Sequence, residues 1–318
     1  MKKIVRLELA LFALITFTYV IASCEESTSK KDQDATLIAT VENPPTKNTP
    51  KKLSEAFKKY WYAGNAEITS YKLEQARYGE LRDGHAVLIY VTEPFLADKQ
   101  VKAERDHPEN IPVLKLNSTK KFLTGIYPYS IMSSTFYPVY DDQHAIKVSL
   151  SVQEWCGHVY TQLNNRDQFE VLSHSYFEGE ADQRLTLEKT ILENELWNKI
   201  RIDPAGLPVG DVNIIPSLEY NRIAHKEIKI YKATATLTEE GSTSSYTIHY
   251  PELERTLTIH FTNAFPHTIE GWSESFKGGF GAEAKVLTST ATKFKTLKTP
   301  YWQQNGNKDV FLRDSLGI

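Results

Sequence analysis

Between Ile146 and Gln153 the chain alternates strictly. Ile146, Val148, Leu150 and Val152 are apolar, and Lys147, Ser149, Ser151 and Gln153 are polar. Successive side chains of a β-strand face opposite ways, so this run predicts a strand with one face buried and one wet. The segment "ITSYKLEQARYGELRDGHAVLIYV" reads as two further strands around a Gly79–Gly84 loop, and similar strands are predicted near 113–122, 126–136, 157–163, 169–177, 212–218, 228–237 and 286–294. Neighbouring strands joined by short turns imply antiparallel pairing.

One hairpin can be tested against itself. In "SSYTIHYPELERTLTIHF", a turn between Glu252 and Leu253 sets Ile248 opposite Leu257 and Tyr246 opposite Ile259. His249, Thr256 and Thr258 then fall on the other face, which is the register that burial selects.

Helical spacing is confined to two places. One is 53–61, with Phe57 and Trp61 four apart; the other is "LEKTILENELWNKI", where Leu192, Leu196 and Ile200 recur with Leu185 and Trp197 beside them. Pro204 and the turn-rich "DPAGLPVGD" end the second. The fold class is therefore mainly β (α+β): a large curved antiparallel sheet packed on one or two helices. In pattern it resembles the envelope lipid carriers of the LolA and LolB type.

The N-terminus sets location. Lys2, Lys3 and Arg6 precede an apolar run from Leu9 to Ile21, too short for a bilayer-spanning helix but suited to a secretory signal. Ile21-Ala22-Ser23-Cys24 resembles the lipobox of bacterial lipoproteins, which implies cleavage between Ser23 and Cys24 and lipidation of Cys24. The expected organisation is a signal peptide at 1–23, a lipidated tether at 24–52 and a single β-rich domain at 53–318, with 203–211 the place where that domain would divide. The tether is rich in Ser, Thr, Lys, Asp and Pro and cannot bury enough surface to offset the entropy of ordering. By the same resemblance, Glu25 in place of an aspartate favours the outer membrane, and Glu25-Glu26 is similar to surface-export signals of some bacteria. The protein is expected in the cell envelope, facing the periplasm or the outside.

Losing Lys2, Lys3, Arg6 and Glu8 with the signal takes the formal charge from −3 to about −5. No basic stripe is available to neutralise phosphates, so a nucleic-acid partner is not expected. If Cys24 is a thioether, Cys156 has no partner within the chain, and disulfides do not hold the fold together.

The sharpest local oddity is "EWCGHVYTQLNNRDQFEVLSHSYF". A turn at Asn164–Asp167 would place Cys156, His158 and Tyr160 on one face, with His158 opposite Ser173 and Cys156 opposite Ser175. A thiol near an imidazole could be a nucleophile, and Cys156, His158, Ser173 and Ser175 are the candidate site. Residues two apart on a strand stand about 7 Å apart, so contact would need a bulge at Gly157. The structural reading is a buried cysteine beside a hydrogen-bonded histidine and a packing Trp155.

Other constellations carry less. His249 and His260 fall about 13 Å apart along the hairpin, too far to share a metal; neither metal nor cofactor is expected. "GWSESFKGGFGAEAK" predicts a hairpin loop and "FLADKQVKAERDHPEN" a solvated charged one. HExxH, GxSxG, EF-hand, P-loop and CxxC signatures are absent from the sequence, which weakens an enzymatic reading. Tyr60, Tyr62, Tyr127, Tyr129, Tyr137 and Tyr140 cluster with Trp61 and Phe136; such residues suit sugar or headgroup binding as well as strands.

The runs "KYWYAGNAEITSYKLEQARYGELRDGHAVLIYVTEPFL", "IPVLKLNSTKKFLTGIYPYSIM", "VQEWCGHVYTQLNNRDQFEV" and "SHSYFEGEADQ" resemble a family of uncharacterised envelope lipoproteins of flavobacteria and their relatives. Members often carry the label septum formation inhibitor Maf. Maf proteins are cytoplasmic nucleotide pyrophosphatases with an N-terminal serine-proline-arginine-arginine motif, which has no counterpart here. The resemblance implies no catalytic residues. The expected function is non-catalytic: binding, carrying or assembling a lipid, glycan or envelope partner on the concave face of the sheet, with the membrane engaged through the N-terminal lipid. The alternatives are an envelope hydrolase or thiol enzyme using Cys156 and His158, and, least favoured, a Maf-type pyrophosphatase. Intact-mass analysis of the mature chain is expected to show acyl groups on an N-terminal Cys24, and Cys24→Ser is expected to abolish acyl incorporation during metabolic labelling.

Overall fold

The computed structural model describes residues 52–140, 143–279, 281 and 284–318. The expectations for the signal, for Ser23 and Cys24, and for all of the tether except Lys52 lie outside these residues. The described chain is a single sixteen-stranded sheet with four short helices. Its elements run α1 (Glu55–Trp61), β1 (Ala66–Arg77), β2 (Glu80–Leu96), β3 (Val101–Lys102), β4 (Asn110–Thr124), β5 (Tyr127–Pro138), β6 (Lys147–Glu154), β7 (Gly157–Asn165), β8 (Phe169–Ser175) and β9 (Gln183–Leu187). After these come β10 (Ile191–Leu192), α2 (Glu193–Ile202), β11 (Gly210–Ile215), α3 (Leu218–Ile223), β12 (Tyr231–Glu240), β13 (Thr243–Tyr250), β14 (Arg255–Thr262), β15 (Ile269–Gly278), β16 (Lys285–Thr299) and α4 (Phe311–Leu316).

The sheet is a meander with one long-range joint. Strands β11 to β16 pair in order, β16 pairs with β1, and the order continues through β2, β4, β5, β6, β7 and β8 to β9. All pairings are antiparallel except the short one between β10 and β11. Strands on both sides of the 203–211 loop thus belong to one sheet. The two edge strands, β9 and β10, are separated in sequence only by residues 188–190. Laid flat, the sheet would hold them about 67 Å apart at about 4.8 Å per strand, whereas that linker spans at most about 15 Å. The sheet must roll up until its edges face one another.

Helix α2 lies inside the roll. Its Glu193, Glu195, Leu196, Asn198, Ile200 and Arg201 are all buried, and its contacts come from strands all around it. Glu193 accepts both terminal nitrogens of Arg255 on β14 and the Tyr250 hydroxyl of β13. Glu195 accepts the Ala145 N–H at 2.7 Å and meets His144. Asn198 donates to the Leu114 carbonyl of β4. Arg201 forms a two-pronged pair with Glu67 of β1, both contacts at 2.7 Å, and donates to the Pro266 carbonyl. The predicted leucine and isoleucine stripe is present, but the polar face is buried as well. A helix this polar survives in an interior because each charge is matched.

The hairpin register reasoned from burial is observed, with Ile248 opposite Leu257, Tyr246 opposite Ile259 and His249 opposite Thr256. Three other expectations need correction. The β1–β2 turn is only Tyr78–Gly79, and Gly84 sits inside β2 opposite Leu73. A Cβ on Gly84 would come within 2.3 Å of the Lys121 carbonyl, so this glycine serves a close strand approach. The run from Gly271 to Gly278 is strand β15 rather than loop, and of the loop after it Phe280, Ala282 and Glu283 lie outside the described residues. Within the charged segment, β3 pairs with the end of β2.

Burial works to raise the Glu67 and Glu193 carboxyls, but Arg201 and Arg255 outweigh it and hold both below the ordinary value of 4.5. Carboxyls depressed in the folded state contribute stability above their unfolded value, and that contribution is lost as pH falls through the folded values. Denaturation monitored by tryptophan fluorescence is therefore expected to show stability declining as pH drops below about 4.5. At neutral pH, Arg255→Met is expected to cost about 3–5 kcal/mol by leaving Glu193 and Glu274 buried without their shared cation, and Arg255→Met/Glu193→Leu/Glu274→Leu to recover most of that loss.

Candidate functional site

Hairpin direction places the Tyr78–Gly79, Gly125–Ile126 and Trp155–Cys156 turns, the 176–182 loop and α3 at one end of the roll, here called the mouth. α1 and the Arg201–Glu67 pair mark the other end. The expected site, the concave face, is occupied by α2. Beside α2 remains a cavity of about 50 Å³, walled by Lys120, Glu219, Glu193, Arg255 and Glu274 with Trp197 and Trp272. That is far below the several hundred cubic ångströms of an ordinary ligand pocket.

The mouth has more room. Helix α3 and the loop after it divide it into two pockets that share His225. A pocket of about 280 Å³ lies between α3 and β7–β9, lined by Thr161, Ser173, Glu180, Asn221, Arg222 and His225 among others. The second, about 150 Å³, lies between Arg77, Tyr78, Ile223, Phe276 and Gly278.

A polar network joins the mouth's walls. Ser175 donates to Glu180 at 2.7 Å, and Glu180 meets His225 at 2.7 Å and Arg222 at 3.7 Å. Burial pushes the Glu180 carboxyl up, but His225, Ser175 and Arg222 together hold it below its usual value. Arg222 lies over the Phe177 ring at 4.2 Å, and burial lowers its pKa. Arg77 donates to the Ile223 carbonyl and the Tyr129 hydroxyl, fastening α3 to β1. Asn221 and Arg222 are buried pocket residues, and Asn221 Oδ1 and Arg222 Nε have no hydrogen-bond partner among the described residues.

At the same end of the roll are exposed rings and one exposed aliphatic chain. Ile126, Trp155 and Tyr176 are 81%, 68% and 69% exposed, and Tyr78 is 39% exposed. They occupy the tips of four hairpins adjacent in the sheet. Tyr127 faces Trp155 with ring centroids 6.3 Å apart. A Cβ on Gly157 would fall 2.5 Å from the Tyr176 ring, so the absence of a side chain there lets Tyr176 lie on the strand.

The expected Cys156–His158 site is not assembled. Strands β7 and β8 pair three residues away from the predicted register: Thr161, not His158, faces Ser173, and Val159, not Cys156, faces Ser175. The turn is Arg166–Gln168, closed by an Arg166 N–H donating to the Gln168 carbonyl. β6 decides this by turning Val159, Thr161 and Leu163 inward, so that Leu163 meets Val171 in the core. An odd shift exchanges the faces, which sends His158 and Tyr160 outward. Cys156 and Trp155 sit in an exposed turn rather than in the core. Ser173 and Ser175 do reach the mouth, the first bonding Thr161 at 2.8 Å and the second Glu180.

The tyrosine group also divides. Tyr127 and Tyr129 belong to the mouth, whereas Tyr60, Tyr62, Tyr137 and Tyr140 lie toward α1. His249 and His260 each bond their own cross-strand neighbour, Thr256 and Ser245. Among the described residues, no group of three His, Cys, Asp or Glu side chains is placed to hold a metal ion.

No protein-family model and no curated protein matches the chain. Among solved structures, a porin-like protein from Bacteroides uniformis matches with 10% identity over 72% of this chain and 96% of its own, at a TM-score of 0.21. At that score the likeness carries no argument. On β12 and β14 the outward side chains are polar, namely Lys232, Thr234, Thr256, Thr258 and His260, where a membrane barrel would carry an apolar band.

The adjacent Glu154 carboxylate, which accepts the Cys156 backbone N–H at 2.6 Å, pushes the Cys156 thiol above its usual 9.0. A raised pKa leaves less thiolate at neutral pH. Labelling of Cys156 by an aromatic disulfide at pH 8 is expected to be slower than that of an unstructured cysteine, and Glu154→Gln to speed it.

Proposed function

We propose that this chain is a lipid-anchored cell-envelope protein with a non-catalytic binding role, and that it takes a glycan-type client at the mouth of the rolled sheet. The observation that supports this reading is the arc of four adjacent hairpin tips bearing Tyr78, Ile126, Trp155 and Tyr176 at the same end of the roll as a polar pocket of about 280 Å³. Aromatic faces stack on the apolar faces of sugar rings, while Asn221, Arg222, Glu180 and His225 offer both donors and acceptors to hydroxyls. The interior is filled by α2, so a client enters the mouth and not the roll. A thiol enzyme gains no support, because Glu154 holds the Cys156 thiol up and His158 faces away.

The test is native mass spectrometry of the full chain extracted gently from its own envelope. The wild type is expected to carry one sugar-bearing molecule per chain, and Trp155→Ala/Tyr176→Ala to bind it at least about tenfold more weakly, the size of about two aromatic contacts. A wild-type chain without any such molecule, or a variant that retains it fully, would sink the reading.

A further inference from the structure

The outward face of the sheet breaks its polar pattern beside α4. There Ile68, Val87, Ile89, Met132, Leu297 and Leu316 line a groove of about 430 Å³. Along β2 it runs from His85 through Val87 to Ile89, about 13 Å at about 3.3 Å per residue. The α4 wall is fixed in place: the Ser70 hydroxyl donates to the Leu316 carbonyl at 2.6 Å, and Gly317 lies against the Phe294 ring.

The His85 end of the groove is cationic. His85 pairs directly with Lys72 of β1 on one side and Lys121 of β4 on the other, so three basic residues stand in one row across adjacent strands. Arg313 of α4 joins them, and burial, Lys121 and Arg313 together lower the His85 pKa. Like charges opposed across strands cost stability. Neither Lys121 nor Arg313 has a carboxylate partner among the described residues. Asp309 is the acidic residue that lines the groove. Lys72 lies over the Phe294 ring at 4.9 Å, so the cations at this end left without an ion pair or ring contact among the described residues are Lys121 and Arg313.

We propose that the groove binds a single-chain lipid with a phosphate monoester head, its chain along Val87, Ile89 and Leu316 and its head over His85, Lys121 and Arg313. The volume suits one chain, and two permanent cations with an imidazole match a head carrying close to two negative charges. This site is on the opposite face of the sheet from the interior helix and does not depend on the mouth.

A diazirine-bearing 1-myristoyl lysophosphatidate, added to membranes holding the full chain, tests it. Crosslinks are expected on β2 and α4, displaced by unlabelled lysophosphatidate at concentrations at least tenfold below those needed of monomyristin or inorganic phosphate. Lys121→Gln/Arg313→Gln is expected to reduce labelling at least tenfold. Met132→Trp, which fills the groove and leaves the charges alone, is expected to do the same with an unchanged melting temperature. Crosslinks elsewhere, or to a second copy of the chain, would overturn the proposal. So would equal displacement by monomyristin, which would mean an apolar groove only, or by phosphate, which would mean an ion only.

Discussion

Two arginine–glutamate pairs, one near each end of a buried helix, are what the rest of the structure depends on. Arg255 reaches Glu193 at the start of α2, and Arg201 at its end reaches Glu67. The partners lie on β14 and β1, three strands apart in the sheet order. Taking four charged groups out of water costs several kcal/mol per ion and is tolerated only when the geometry is close to ideal. That geometry exists only while the sheet is curved around the helix. The pairs therefore tie sheet curvature to helix position: flattening the sheet would separate β14 and β1 from α2 and leave charges buried alone.

Filling the roll with α2 decides where binding can occur. An interior packed by Leu196, Ile200, Trp197 and Trp272 around a cavity of about 50 Å³ offers a client little. Room remains where the regular alternation stops: at the hairpin tips around α3, and on the outward face next to α4. The two places differ in chemistry. The mouth mixes exposed aromatic tips with donors and acceptors in a near-balanced set of charges, whereas the α4 groove is apolar with unopposed cations at one end.

Much of the sheet was legible from residues two apart. The β13–β14 register followed from burial alone because both strands alternate cleanly and a tight turn fixes their offset. The β7–β8 pair was misread because its loop of polar residues allowed several offsets, and the deciding contact, Val148 against Leu163, lies on a third strand. Gly84 looked like a turn and proved to be a close approach, which depends on Lys121, 37 positions on by the numbering. The mouth was harder still. Arg77, Glu180 and the Arg222–His225 pair come from three separate stretches of the chain, and no local spacing joins those stretches. An available clue was the recurrence of Tyr78, Ile126, Trp155 and Tyr176 at turns, where polar residues are the usual choice.

By itself, the sequence determined the period, and with it the inward face of cleanly alternating strands such as β6, β13 and β14, because that choice needs only the two-residue repeat and the cost of burying polar groups. It also determined that one helix would be covered by the sheet. Tertiary structure decided that the sheet rolls until β9 and β10 face each other, that the helix is enclosed on all sides, and which charges meet inside. Glu67 and Arg201 are 134 residues apart. No local pattern encodes such a pair, since its favourable energy appears only when the folded surroundings have removed the water between them.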